Sequence, residues 1–205
     1  MDSIIKNSLE HSISYNAYRS LVKRLVEENS TTGLEKTEAL INYTKLNDRR
    51  MKRWDKTIKV SDDAKYKIEA FEEDITWLLI TESWCGDAAH IVPAINKVAE
   101  LNDKINLRIV LRDENLGLMD AFLTNGGRAI PKLIMIDNAS RNVLNTYGPR
   151  PTEATNYVNQ FKAKYGTLTP EFKEDLQHWY NNDKGQNVIK NLTEILCELQ
   201  PTVCL

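Results

Sequence analysis

Apolar and polar positions along this chain follow two rhythms. Over the first 60 residues the rhythm is helical. Tyr18, Leu21, Val22, Leu25 and Val26 fall at i, i+3, i+4, i+7 and i+8, which lines one face of a helix. Asn29-Ser30-Thr31-Thr32-Gly33 breaks it. Leu40, Tyr43, Asn47, Met51 and Trp54 predict a second helix. Ser61-Asp62-Asp63 supplies a cap and acidic first-turn residues for a short helix running toward Glu72.

The middle of the chain changes rhythm. Residues 75–81, Ile-Thr-Trp-Leu-Leu-Ile-Thr, form a short apolar and β-branched run, the pattern of a buried strand. Residues 87–102 return to a helical period, with Ile91, Ala94, Ile95 and Val98 on one face. A second strand is predicted over 105–111, then a helix over 115–123 ended by Asn125-Gly126-Gly127. Strands over 132–136 and 142–147 flank Asp137-Asn138-Ala139-Ser140-Arg141, a hairpin turn. Helices follow over 152–165, 170–182 and 184–199, with Thr169 as cap and Pro170 in the first turn. Strands alternating with helices and closing in a hairpin predict a mixed α/β sheet. The expected organisation is an N-terminal helical extension (1–60), a central domain (61–166) and a C-terminal helical extension (167–205) packed on it.

Composition narrows the classes of function. The chain has 205 residues, 41% hydrophobic and 27% charged, an ordinary globular balance with no repeat or low-complexity tract. The net charge of -2 calls for neither nucleic acid nor an anionic membrane as partner. The basic run Arg49-Arg50-Met51-Lys52-Arg53-Trp54 is flanked by Asp48 and Asp55 and reads as a solvated helix face. The N-terminal residues lack the pattern of a signal peptide, and no apolar run is long enough to span a bilayer. Three dispersed cysteines do not make a disulfide scaffold, so the expected compartment is a reducing cytoplasm. His11, His90 and His178 share no ligand spacing, and no metal site is expected. Gly126-Gly127 is a turn and not a phosphate loop.

The candidate chemistry lies where the first strand runs into Trp84-Cys85-Gly86-Asp87-Ala88 and then a helix. Cys85 is placed at a helix N-terminus, where unpaired N–H groups and the helix dipole favour a thiolate. A free thiol has a pKa of about 8.5, and helix-terminal sites bring it to roughly 3.5–7.5. Asp87 pulls the other way, because a neighbouring carboxylate opposes a second negative charge. Asp87 suits the first helical turn, and it is also a candidate proton shuttle or hydrogen-bond partner for Cys85.

The segment Trp84-Cys85-Gly86-Asp87-Ala88-Ala89-His90-Ile91-Val92-Pro93 resembles the active-site helix of the thioredoxin-like superfamily, and in particular bacterial thioredoxin-family proteins with a WCGD motif. Cys85 stands where the family has its attacking cysteine, and Pro93 where it has a helix-kinking proline. Arg128-Ala129-Ile130-Pro131, before the strand at 132–136, resembles the family's cis-proline loop, which binds substrate backbone. The resemblance spans about residues 71–165. It implies a thioredoxin-like fold, with Cys85 and Asp87 as catalytic candidates. Trp84, Gly86, Ile130 and Pro131 become substrate-binding candidates, and Arg128 is weighed as a substrate-binding residue that favours the thiolate or a substrate carboxylate, or as a plain surface arginine.

Two departures bear on function. Ala88 replaces the resolving cysteine, and Leu79 stands where typical thioredoxins bury an acid. The implied activity is thiol–disulfide exchange through Cys85 alone, on a protein disulfide or a small-thiol substrate. Glutathione or another small thiol would serve as co-substrate, without a bound cofactor. Two other readings stay open: a redox-inactive binding module, and a peroxide-sensing thiol passing through a sulfenic acid. Cys204 is weighed as a resolving tail thiol or a plain free one, Cys197 as a small packing residue of the last helix, and His90 as a half-exposed histidine or a base. Trp179-Tyr180 reads as packing. Oligomeric state stays open.

Overall fold

The structure, a computed structural model, describes residues 2–204, with the side chains of residues 2, 203 and 204 outside the description. The side chain of Cys204, weighed above as a tail thiol, therefore lies outside the description. Helices α1 (Asp2–Glu10), α2 (Tyr15–Glu27), α3 (Glu38–Thr57) and α4 (Asp62–Glu69) precede strand β1 (Ile75–Thr81). Then come α5 (Ala88–Ala99), β2 (Ile105–Leu111), α6 (Leu116–Ala121), β3 (Lys132–Asp137), β4 (Val143–Tyr147) and α7 (Thr152–Tyr165). Helices α8 (Pro170–Asp183) and α9 (Gln186–Leu199) follow.

The strands form one mixed sheet in the order β2-β1-β3-β4. β1 runs parallel to β2 and antiparallel to β3, and β4 returns antiparallel to β3. Every residue of β1 is buried, which is why its sequence lacks polar alternation and why it takes a central place. The outer edge of β2 is covered by the N-terminal segment. Ile13 and Ile109 exchange two backbone hydrogen bonds of 2.8 Å. That pairing removes part of an open edge.

The helix stripes are where the periodicity puts them, with one exception. Tyr18, Val22 and Leu25 of α2 are buried. On α3 the buried line is Thr44, Asn47, Met51 and Trp54, whereas Tyr43, expected on that face, is 50% exposed. A polar residue wins the inward position because it has partners there. The Thr44 hydroxyl meets Ser83 Oγ at 2.8 Å and Thr31 Oγ1 at 2.7 Å. Thr32 donates its N–H to the same Ser83 Oγ, and Asn47 donates to the Ser83 carbonyl. α8 ends as Lys184 and Gly185 enter the left-handed region, so α9 starts at Gln186 and not at 184.

Candidate active site around Cys85

The chain leaves β1 at Thr81, turns through Glu82-Ser83-Trp84-Cys85 and enters α5 at Ala88. Ser83 anchors that turn from below through the hydroxyl cluster. The Cys85 N–H donates to the Glu82 carbonyl at 3.2 Å. The Cys85 thiol donates to the carbonyl of Ile130 at 3.4 Å, and the Ile130–Pro131 peptide bond is cis. Cys85, Ile130 and Pro131 are thus brought together. Trp84 is half-buried beneath the Arg112 guanidinium, 4.9 Å from the ring centre.

The thiol is not the exposed, acidified group that its helix-terminal position suggests. Cys85 is only 9% exposed. Burial pushes it up to about 12, and Asp87 adds to the rise. The N–H groups of Ala88 and Asp87 and the charge of Arg150 act in the opposite direction without offsetting it. At neutral pH the resting sulfur is a protonated thiol. Desolvation of a charge outweighs a helix terminus when water is removed.

The Asp87 carboxylate does not bond to the Cys85 thiol and makes no side-chain cap on α5. Its carboxylate accepts from the Tyr180 hydroxyl at 2.9 Å and from Arg150 Nη2 at 2.7 Å. Arg128 is elsewhere, in an exposed bidentate pair with Asp120 at 2.6 and 2.8 Å. The positive charge that acts on Cys85 comes from Arg150. Arg150 follows the cis Gly148–Pro149 bond. Gly148 has φ +106°, and a Cβ there would lie 2.3 Å from the Pro131 carbonyl oxygen. Only glycine lets the two proline loops approach so closely.

α8 lies over the motif. Gln177 is the nearest neighbour of a Cβ built on Gly86, at 4.0 Å. Gln177 also meets His90, which is buried and not half-exposed. Trp54 Nε1–H donates to His90 Nδ1 at 2.9 Å, so Nε2 carries the ring proton and donates to Gln177 Oε1 at 2.9 Å. Burial holds His90 at about 3, a neutral ring. The Tyr180 ring stacks on it at 4.6 Å and 7°. The base reading of His90 has no geometric support, since both ring nitrogens are engaged away from the sulfur.

Sequence reasoning missed Arg150, Gln177 and the polar role of Tyr180. Gly148-Pro149-Arg150-Pro151 carried a signal, an arginine locked between prolines at the end of a strand. Gln177 and Tyr180 carried none, because they reach the site from a distant helix. A buried carboxyl missed at this stage is Glu82, which accepts the Asp113 N–H at 2.9 Å and is raised by burial. Leu79 is a fully buried apolar residue. Cys197 is half-buried and disulfide-bonded, so it is not the packing thiol expected. Among the described residues, no group of three or more His, Cys, Asp or Glu is gathered to hold a metal, and no helix is long and apolar enough to cross a membrane.

A mixed sheet, a strand leading into a Trp-Cys-Gly helix N-terminus and a proline loop against the cysteine define a thioredoxin-like α/β protein with added helices at both termini. A family model described as thioredoxin matches residues 33–164, more than half of the chain, and the chain belongs to that family. No curated protein matches. The chain is similar in structure to a protein of unknown function from Pseudomonas aeruginosa, with a TM-score of 0.58 and 16% identity, covering 92% of this chain and 93% of that one. It is also similar to an HIV epitope-scaffold, with a TM-score of 0.53 and 16% identity over 90% of this chain and 98% of that one. These likenesses concern the fold.

Proposed function

We propose that this protein performs thiol–disulfide exchange with Cys85 as its one nucleophile. The observation that supports this most is the Cys85–Ile130 contact. The sulfur lies 3.4 Å from the carbonyl that precedes cis-Pro131, beside the backbone to which a substrate strand would pair. In the reaction the Cys85 thiol loses its proton and the thiolate attacks one sulfur of a disulfide. A Cys85–substrate S–S bond forms as the old one breaks. The departing sulfur leaves as a thiolate and takes up a proton. Ala88, fully buried at the resolving position, has no sulfur with which to release the substrate. A small thiol such as glutathione completes the cycle when its thiolate attacks the substrate sulfur of the mixed disulfide. A substrate–glutathione S–S bond forms, the Cys85–substrate bond breaks, and Cys85 leaves as a thiolate that takes up a proton.

A protonated resting thiol under α8 makes this a guarded site, and substrate must displace part of that cover. The same burial favours a second reading, a thioredoxin fold used only for binding. Incubating the full chain with oxidised glutathione and weighing it intact separates the two. Exchange yields a glutathione adduct on wild type and none on Cys85→Ser. An unmodified wild type, under conditions where a control thiol reacts fully, overturns the exchange reading.

A further inference from the structure

We propose that Arg150 is the positioning residue that makes the Cys85 thiolate accessible, with Asp87 and Tyr180 holding the guanidinium in place beside it. This rests on the reading of Cys85 as the reacting thiol.

Arg150 is half-buried. Its side chain is 24% exposed, and it has one ion pair, Nη2 to Asp87 Oδ2 at 2.7 Å. Its Nε–H is buried with no hydrogen-bond partner among the described residues. A buried guanidinium N–H without an acceptor costs stability, and an anion arriving there relieves it. The local backbone is built to hold the side chain in that position. Gly148 lets the second proline loop press on the Pro131 carbonyl, and Pro149 and Pro151 flank the arginine.

Four ionisable groups act on Cys85 from the surrounding elements. They are Asp87 at the entrance to α5, Arg150 before α7, Tyr180 of α8 and Tyr18 of α2. Both tyrosines are held neutral by burial, and Asp87 opposes a second anion. Arg150 is the one cation among them. Asp87 therefore has a different role from that of a base. It anchors the cation, and Tyr180 anchors Asp87. When the Cys85 proton leaves, the guanidinium held by Asp87 offers its charge to the sulfur.

The test is the ionisation of Cys85 in the intact chain, read as thiolate absorbance against pH with Cys85→Ser subtracted. The variants are Arg150→Gln and Arg150→Lys, each checked by circular dichroism. The expected midpoints rise from wild type through Lys to Gln, with Gln displaced by about one pH unit, a tenfold loss of thiolate below the midpoint. The Lys variant keeps the charge and serves where Gln does not fold. Coincident midpoints in wild type and a folded variant overturn the proposal, and so does a wild-type thiol that ionises only on unfolding. Glutathione adduct formation is scored separately. A displaced midpoint with no adduct in any form leaves Arg150 its role and refutes exchange. Adducts with an unmoved midpoint do the reverse.

Discussion

The added helices grip one loop from two sides, and the two grips differ in kind. From the N-terminal side, Thr31, Thr32 and Thr44 close on Ser83, with Asn47 on its carbonyl. Every group in that grip is uncharged at ordinary pH and buried. From the C-terminal side, α8 reaches Asp87 and His90 through Tyr180 and Gln177. That grip joins the ionisable groups Asp87, His90 and Tyr180 and the neutral Gln177 with single hydrogen bonds. A neutral cluster keeps its charge state across pH, whereas a latch that includes His90 responds to protonation of that ring. The difference suits a site whose floor must stay fixed while its cover gives way.

The strongest test of this contrast removes the floor. Ser83→Ala strips the acceptor of the Thr32 N–H and leaves neighbouring hydroxyls short of a partner. The expected cost is about 3 kcal/mol of folding free energy, from more than one buried unsatisfied group. Urea denaturation measures it, and a loss below about 1 kcal/mol would erase the distinction drawn between the two grips.

The next effect is acid sensitivity of the cover. The native pKa of His90, about 3, lies below the ordinary unfolded value, so the unfolded chain binds the proton first. Stability from His90 is complete above pH about 6.5 and declines as pH falls toward 3, with about 2 kcal/mol gone by pH 5. Subtracting the pH dependence of His90→Gln isolates that contribution from the other titrating groups. Parallel curves for the two proteins would sink the idea.

A smaller effect is expected from Tyr180→Phe, which keeps the ring on His90 and removes the hydroxyl from Asp87. Losing one hydrogen bond worth about 1 kcal/mol should open the cover about fivefold more often. Hydrogen exchange of the α8 backbone amides should accelerate by about that factor, a readout independent of Cys85 ionisation. Unchanged exchange would show that the Tyr180 hydroxyl does not hold the cover. The smallest effect is expected at Arg128→Ala. Its pair with Asp120 is solvent-exposed, so neither the melting temperature nor Cys85 alkylation should change measurably. A slowed alkylation there would return Arg128 to the site in place of Arg150.

Much of this molecule was legible along the chain because the signals were local. An unbroken apolar run marks β1 as a buried central strand, and its bounds are 75–81 in both sequence and structure. Ser61 and Thr169 cap α4 and α8, accepting from Ala64 and Phe172 N–H at 3.3 and 3.2 Å. Those bonds span a single turn, so residue spacing specifies them. Trp84-Cys85-Gly86 and Ile130-Pro131 likewise place the sulfur and the proline loop, since each motif sits at the end of a strand of the same sheet.

What tertiary structure alone decided is the state of that sulfur. The sequence puts Cys85 at a helix N-terminus, and local physics there favours a thiolate. Its burial is a product of packing, with the Ile130 carbonyl against the sulfur and α8, far along the chain, on Gly86 and Asp87. Its balancing charge comes from Arg150, brought in by the fit of Gly148 against Pro131. Desolvation and charge pairing act through space and carry no periodicity. The chain therefore announces where its nucleophile stands, and only the packing of the cover and the proline loops decides that the resting group is a thiol.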